Sequence, residues 1–214
     1  MKKIKGWYMP DREKHFHLYL EKKNTNQYQP EVREQSLKLI KKNRVAIDIG
    51  ANIGLWGRDL CNKFNHCHFF EPLAINIECL IKNLENYNNK TIHQFALSDN
   101  VGEAKLYYSP SAIGGSSLHK EEYQTEIEYV QTKKLDDFEF KNIDYIKIDV
   151  QNHEFEVLKG GAETLRNNDC LLCVESPRRN DEELETFKKI KKFLYSLGFK
   201  KEGYMGKEFF FTKV

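Results

Sequence analysis

From residue 44 onward, short apolar segments alternate with longer stretches in which apolar residues recur at helical spacing. The short apolar runs predict strands, and the amphipathic stretches that follow them predict helices. The predicted strands cover residues 44–49, 66–70, 91–96, 144–150 and 170–175, and the predicted helices cover residues 53–63, 73–86, 153–166 and 181–197. Regular strand–helix alternation predicts an α/β fold with a doubly wound, mostly parallel sheet.

Two segments depart from this alternation. Residues 103–108 and 126–132 predict two additional strands between the third and fourth strands of the sheet. The inserted loop between them, residues 109–125, contains paired glycines that favour an adaptable backbone, and we expect a mobile lid or substrate loop. Residues 200–204 and 208–214 predict a hairpin that adds an antiparallel C-terminal strand at the sheet edge.

The first part of the chain, residues 1–43, is polar and aromatic, with helical stretches predicted at 11–20 and 30–42. We interpret it as an N-terminal cap on a domain that spans residues 44–214. Its charged start lacks the apolar stretch of a signal peptide. No apolar run approaches the roughly 20 residues that cross a bilayer. We therefore expect a cytoplasmic protein without a membrane span.

Composition narrows the choice of partners. The chain carries 34 Lys and Arg against 32 Asp and Glu, a formal net charge of +2. Such a balance gives no reason to expect nucleic acid as a partner. Cys170 and Cys173 form a C-x-x-C pattern, but they lie on a predicted strand, where residues three apart point to opposite faces. We therefore expect neither a disulfide nor a metal site there.

The first predicted strand ends in a glycine-containing turn that runs from Asp48 to Gly54. Gly50 and Gly54 let the backbone pass close to a ligand, with Ala51 between them. Asn52 occupies the position where a dinucleotide-binding fingerprint has its second glycine. Asp48, two residues before Gly50, suits the amino group of an amino-acid ligand better than a pyrophosphate.

Polar residues also follow the next two predicted strands. Glu71 and Pro72 come directly after the second strand, where a carboxylate can accept hydrogen bonds from ribose hydroxyls. The alternative for Glu71 is a cap at the start of the following helix. Ser98 and Asp99 come after the third strand, where either can meet the amino group of an adenine or serve as a turn residue.

Two charged residues interrupt the apolar fourth strand. Lys147 and Asp149 alternate with apolar residues and therefore share one side of the strand. A charge in an apolar central strand is costly unless it is paired. Asp149 lies at the carboxyl end, where ligands bind in open α/β sheets. We favour a functional role over a purely structural ion pair.

As an ordered set, these motifs resemble the FkbM family of S-adenosylmethionine-dependent methyltransferases. The matching segments are residues 47–54, 70–72, 96–99, 115–117, 134–137, 146–150, 154 and 157–161. The resemblance implies a seven-stranded Rossmann-like methyltransferase fold. It also implies S-adenosylmethionine as cofactor and a hydroxyl oxygen on a sugar, glycan or small natural product as the methyl acceptor. The expected cofactor-binding residues are Asp48, Gly50, Ala51, Asn52, Gly54, Glu71, Pro72, Ser98, Asp99 and Asp149.

The resemblance leaves the catalytic base open. Candidates are Asp149, His153 and Glu175, the last at the tip of the fifth strand, and the family motif adds Glu154 nearby. Hard oxygen ligands for a divalent metal are available on Asp149, Glu175 and Asp136, but metal dependence is not favoured.

One departure from the family pattern keeps alternatives open. Residues Gln151 and Asn152 stand where the family usually has Glu-Gly. Asn tolerates the left-handed backbone that Gly allows, but the Glu carboxylate is lost. A non-catalytic binding module of the same fold is therefore one alternative. A nicotinamide-dependent reductase is another, and Asn52 argues against it. The oligomeric state and the identity of the acceptor stay open.

Overall fold

A computed structural model describes residues 1–176 and 181–213 of the chain. Its strands are β1 (Lys2–Ile4), β2 (Trp7–Met9), β3 (Val45–Ile49), β4 (His66–Phe70), β5 (Lys90–His93), β6 (Ala96–Leu97), β7 (Gly102–Tyr108), β8 (Glu126–Lys133), β9 (Ile143–Ile148), β10 (Leu171–Glu175), β11 (Lys201–Met205) and β12 (Glu208–Thr212). Its α-helices are α1 (His15–Lys22), α2 (Pro30–Lys38), α3 (Gly57–Lys63), α4 (Ala74–Asn83), α5 (Glu154–Gly160), α6 (Ala162–Asn167) and α7 (Asp181–Ser196).

A seven-stranded sheet forms the centre of the molecule, in the order β11-β12-β10-β9-β3-β4-β5. Five neighbouring strands, from β10 to β5 in that order, are parallel. The C-terminal hairpin β11–β12 completes the sheet, with β12 antiparallel to β10. The predicted doubly wound, mostly parallel sheet with an antiparallel C-terminal hairpin is confirmed. The predicted last residue of that hairpin, Val214, lies outside the described residues.

Hydrophobic layers cover both faces of this sheet. The alternation along β9 shows the division, because Ile146 and Ile148 belong to one buried cluster and Tyr145 to the other. The C-x-x-C pattern divides in the same way: Cys170 packs in the first cluster and Cys173 in the second, and both thiols are free. The prediction that these two cysteines face opposite sides is confirmed.

The N-terminal segment contains a hairpin that the sequence pattern did not predict. Strands β1 and β2 pair antiparallel across a turn at Lys5 and Gly6, both with positive φ. Behind the hairpin, Phe16 and Leu20 of α1 pack in a buried cluster with Ile53. Residues 1–43 thus cover one flank of the sheet domain.

Two predicted boundaries near the first and third strands were wrong. The helix predicted at 53–63 begins only at Gly57, because positive φ angles at Asn52 and Gly54 keep the preceding turn non-helical. The strand predicted at 91–96 ends at His93. Its last residue instead belongs to β6, which joins β7 and β8 in a separate three-stranded sheet.

The helix predicted at 153–166 is two helices. Helix α5 ends at Gly160 and α6 begins at Ala162, with the break at Gly161. A Cβ at Gly160 would lie 2.0 Å from the carbonyl oxygen of Ser98. The glycine pair therefore lets the chain approach the β6 loop. In residues 1–176 and 181–213, no helix is both long and apolar enough for a bilayer.

Candidate active site

A cavity of about 590 Å³ opens at the carboxyl ends of β3, β4, β9 and β10. This volume lies in the range of small-molecule sites, and the location is where open α/β sheets bind ligands. Most of the predicted site residues line it: Asp48, Gly50, Ala51, Asn52, Glu71, Pro72, Asp149, His153 and Glu175. Four predicted residues are not part of its lining: Gly54, Ser98, Asp99 and Glu154.

The turn after β3 uses its backbone donors within the protein. The N–H groups of Gly50 and Ala51 both donate to the carbonyl oxygen of Phe70, each at 3.0 Å. The N–H of Asn52 donates to Glu71 Oε2 at 2.8 Å. A turn that binds pyrophosphate instead directs such donors at its ligand. The hydrogen bonding at this turn therefore disfavours a dinucleotide.

The glycines of this turn bring β3 against β9 and helix α4. A Cβ at Gly50 would lie 1.9 Å from the carbonyl oxygen of Asp149. At Gly54 a Cβ would meet Leu80 of α4 at 2.7 Å, so Gly54 serves helix packing and not the cavity wall. The first glycine thus places Asp149 directly beside the turn after β3.

Glu71 is a buried carboxylate that organises the surrounding backbone. Besides Asn52, its side chain accepts hydrogen bonds from Leu73 N at 2.9 Å and Asn76 Nδ2 at 3.2 Å. Burial raises the pKa of Glu71 to about 7, against the opposing effect of these donors. Glu71 thus fixes the backbone just before α4 without capping the helix, because the N-cap residue is Leu73 and no side-chain cap hydrogen bond is formed there.

Lys147 lines the cavity and lies between two carboxylates. Its Nζ is 3.6 Å from Asp48 Oδ1 and 3.3 Å from Asp149 Oδ2. Burial alone would lower the pKa of Lys147, but the two carboxylates raise it by more. The pKa is therefore raised overall, and the ammonium stays charged. The longer distance leaves Asp48 Oδ1 buried without a hydrogen bond. Burial is also the main cause of the raised pKa of Asp48.

The residue that departs from the family pattern connects two carboxyl groups. Gln151 Nε2 donates to Asp149 Oδ1 at 2.7 Å and to Glu175 Oε2 at 2.6 Å. Burial and the neighbouring Asp149 raise the pKa of Glu175. For Asp149, burial raises the pKa, but Lys147 and hydrogen bonds from Glu175 and Gln151 outweigh it and the pKa is lowered. The pair thus holds one negative charge, on Asp149.

The turn after β9 has the left-handed backbone conformation that the glycine of the family pattern allows. Gln151 and Asn152 have φ angles of 54° and 74°. Glu154, which follows them, is buried and accepts the N–H of Val150 at 3.0 Å. Burial raises the pKa of Glu154 to about 7. Its position supports the turn from behind the cavity wall.

His153 lies at the edge of the cavity with both ring nitrogens engaged. Nε2 is 3.0 Å from Ser98 Oγ, and Nδ1 is 3.1 Å from His119 Nε2. Burial lowers the pKa of His153 to about 4, so the ring is neutral at neutral pH. Asp99 is instead bound by Lys159 at 2.5 Å, and this contact lowers the pKa of Asp99.

Several lining residues escaped the sequence analysis because distant segments bring them in. The N-terminal cap contributes Tyr28 and Gln29, and the first residue of β12 contributes Glu208. Gln29 bonds to Trp56 Nε1 at 3.3 Å and to Glu208 Oε1 at 3.4 Å. Burial and Asp149 raise the pKa of Glu208 to about 7. No local motif marks these residues; only Glu208, a charge in an apolar strand, offered a signal.

The fold matches that of solved methyltransferase structures. A methyltransferase FkbM from Methylobacillus flagellatus superposes with a TM-score of 0.55 at 17% identity, covering 79% of this chain and 43% of that one. A putative methyltransferase from Streptococcus mutans, solved in complex with SAH, superposes with a TM-score of 0.54 at 11% identity. That match covers 84% of this chain and 94% of the other. The fold is thus that of α/β methyltransferases.

Sequence comparison gives the family. The model of the methyltransferase FkbM domain matches residues 48–201, and the chain belongs to this family. Hexuronic acid methyltransferase AglP of Haloferax volcanii is 28% identical over 122 residues, which are 56% of this chain and 51% of AglP. Methyltransferase sdnD of Sordaria araneosa is 28% identical over 156 residues, covering 55% of this chain and 60% of sdnD. The chain thus spans little more than half the length of these relatives.

Proposed function

We propose that the protein transfers a methyl group from S-adenosylmethionine to a hydroxyl oxygen of a sugar, glycan or small natural product. Family membership supports methyl transfer, and the relative named for hexuronic acid supports a sugar acceptor. The observation that carries the cofactor assignment is Asp48, whose Oδ1 is buried without a hydrogen bond in the wall of the cavity. An ammonium group of the ligand would supply the missing donor.

The residues at the carboxyl ends of β3 and β4 fit the cofactor. Asp48 would accept the amino group of its methionine part, beside the turn at Gly50 and Asn52. Glu71 would accept a ribose hydroxyl, because a carboxylate has about four acceptor sites and three are used by protein donors. When bound, S-adenosylmethionine supplies an electrophilic methyl group on a positively charged sulfur.

Asp149 is the residue we assign to the acceptor. Its carboxylate lines the cavity, is held ionised by Lys147, and is oriented by Gln151. It would accept the proton of the acceptor hydroxyl or orient that hydroxyl for attack. His153 is a weaker candidate, since its two ring nitrogens already contact Ser98 and His119.

The same geometry weighs against the two alternatives. A nicotinamide cofactor would need free donors at the glycine turn, and those of Gly50, Ala51 and Asn52 bond to Phe70 and Glu71. A non-catalytic module was suggested by the loss of a carboxylate at position 151. Gln151 instead supplies an amide donor that orients Asp149 and Glu175, so its presence supports retained turnover.

Calorimetric titration tests the cofactor assignment. We expect S-adenosylmethionine to bind and NAD not to bind. Glu71→Ala should weaken cofactor binding by about 1.5–3 kcal/mol, the scale for losing charged hydrogen bonds. Glu78→Ala, at an exposed acid on the helix α4 that follows Glu71, is the matched control and should bind as the wild type does. Unchanged affinity in a folded Glu71→Ala protein would reject the ribose contact, and binding of NAD alone would reject the function.

Turnover is tested separately, by formation of SAH with a panel of hexoses, uronic acids and hydroxylated natural products. A sugar that raises SAH formation above the background without acceptor supports the proposal. Cofactor binding without turnover on any acceptor of the panel would favour the non-catalytic module.

A further inference from the structure

The inserted loop and the start of α5 bring three metal-ligating side chains together. His119 Nε2 lies 3.1 Å from His153 Nδ1, and Glu156 Oε2 lies 3.8 Å from the same His153 atom. The three ligand atoms all lie within 4.8 Å of one another. His119 is exposed, Glu156 partly exposed and His153 buried. The cluster therefore has one face on solvent and one on the cavity that His153 lines.

The spacing of these atoms matches a coordination sphere. Zinc binds imidazole nitrogen at about 2.0–2.1 Å in a tetrahedron, which separates two ligand atoms by about 3.3 Å. The observed 3.1 Å between the two nitrogens is close to that separation. The carboxylate at 3.8 Å needs only a small side-chain movement to complete a third ligand.

The outer contacts of the cluster are also those of a metal site. A metal-bound histidine normally donates its second ring N–H to an oxygen, and His153 Nε2 lies 3.0 Å from Ser98 Oγ. The backbone of His119 is fixed as well. Its N–H donates to Ser117 Oγ at 3.0 Å, and Ser117 Oγ donates to the carbonyl of Gln151 at 2.5 Å.

We propose that His119, His153 and Glu156 bind one divalent late first-row metal ion, for which Zn²⁺ is the best match. Two imidazoles and one carboxylate suit zinc, whereas calcium and magnesium prefer oxygen ligands alone. Three protein ligands leave a fourth position open for water or another ligand oxygen. The ion ties the inserted loop, through His119, to helix α5.

The three ligands differ from Asp149, Glu175 and Asp136, the carboxylates that the sequence offers as metal ligands. Metal binding here also does not depend on methyl transfer, because the ligands include neither Asp149 nor the turn after β3. A plain His–His hydrogen bond explains the short distance between the two nitrogens. It does not explain why a carboxylate faces the same nitrogen while Ser98 occupies the other. The two explanations differ in whether the cluster binds metal.

Titration with Zn²⁺ and Co²⁺ on protein without a histidine tag decides between them. We expect one equivalent of Zn²⁺ by calorimetry, and a Co²⁺ complex with the d–d absorption of a tetrahedral N/O site. His119→Ala, at an exposed loop residue, should weaken Zn²⁺ binding more than about 100-fold, since losing a direct ligand exceeds the effect of outer contacts. Glu156→Gln should weaken it as well.

The matched control is His17→Ala on α1. His17 Nε2 lies 3.1 Å from Glu21 Oε1 and so offers a His–Glu pair of similar composition. Its removal should leave the stoichiometric site intact. The proposal would be overturned if Zn²⁺ binding survived both His119→Ala and Glu156→Gln. It would also be overturned if the wild type bound Zn²⁺ no more tightly than His119→Ala does. S-adenosylmethionine binding by His119→Ala, measured in parallel, keeps this result separate from the cofactor assignment.

Discussion

Asp149 shows how a single side chain acquires its properties from residues on β9, on β10 and in the turn after β9. Lys147 holds its charge, Gln151 fixes one oxygen, and the raised pKa of Glu175 leaves that neighbour protonated beside it. Burying these charged groups costs free energy. The opposite charges of Lys147 and Asp149 offset part of that cost because they are paired. Its placement in the cavity wall supports a role in the reaction.

Replacing Asp149 by Asn tests that role. The size is kept and the negative charge is removed, so the protein should fold and still bind S-adenosylmethionine. Methyl transfer should fall at least about 100-fold, the lower end for losing a general base. Asp181→Asn, at an exposed acid in the first turn of α7, should retain most activity. Full turnover in folded Asp149→Asn would show that the charge is structural.

Among the site residues, the sequence predicted those that lie at the ends of strands. Asp48 and Asp149 lie where their apolar strands end, and the structure brings them to either side of Lys147. Gln29 and Glu208 could not be predicted from local pattern, because they meet only after the cap and the C-terminal hairpin have packed. Such contacts depend on tertiary structure alone.

At the scale of elements, the inserted loop that its glycines predict to be mobile is held by specific contacts near its start. Ile113 is fully buried among residues of the N-terminal cap. Its N–H donates to Glu13 Oε2 at 2.9 Å, and its carbonyl accepts Asn52 Nδ2 at 3.2 Å. The loop is therefore anchored at Ile113 to both the cap and the turn after β3. Mobility of the rest of the loop stays a prediction.

Glu13 is the link that we expect to matter most for this anchoring. It is buried and accepts N–H groups from Phe16 at 2.7 Å and Ile113 at 2.9 Å. Glu13→Ala leaves two buried donors unpaired, each costing about 1–3 kcal/mol. We expect the free energy of unfolding to fall by at least about 2 kcal/mol, the lower end of that range for two donors, measured by urea denaturation. Glu34→Ala, an exposed acid on α2, should change it little.

A further readout separates anchoring from general stability. The loop contacts the turn after β3 through the hydrogen bond from Asn52 to Ile113. If this contact holds the turn in place, Glu13→Ala should also weaken S-adenosylmethionine binding at a temperature where the variant is fully folded. Unchanged unfolding and unchanged binding would show that the loop is held by apolar packing instead.

Element types were predicted well and element limits less so. Apolar runs identified the strands of the central sheet because burial on both faces demands them. The hairpin β1–β2 was missed since its strands have three residues each, too few for alternation to show. The break between α5 and α6 was missed because helical periodicity continues through Gly160 and Gly161.

For the molecule as a whole, buried histidine and buried carboxyl groups change the free energy of unfolding in opposite directions as the pH falls. Burial lowers the pKa of His68 to about 4, so the unfolded chain takes up that proton first as the pH falls. The contribution of His68 is therefore complete above pH 6.5 and is lost on the way to pH 4. Glu71 and Glu154, with pKa raised to about 7, act oppositely and add stability as the pH falls from 7 to 4.5.

The variant His68→Asn isolates the histidine contribution. Comparing the free energy of unfolding at pH 7.5 and pH 4.5, we expect the wild type to lose on the order of 2 kcal/mol relative to the variant, at about 1.4 kcal/mol per pKa unit. The carboxylates contribute equally in both proteins and cancel in the comparison. An identical pH dependence in the two proteins would show that His68 keeps an ordinary affinity for protons.

The two tryptophans occupy very different places. Trp7 is buried in the N-terminal hairpin, beneath the guanidinium of Arg58 at 3.7 Å. Trp56 lines the cavity, with the ammonium of Lys147 5.3 Å from its ring. A ligand that enters the cavity changes the surroundings of Trp56 and leaves those of Trp7 unchanged. Emission from Trp56, isolated by Trp7→Phe, would therefore act as a built-in optical sensor of occupancy for kinetic measurements without any added dye.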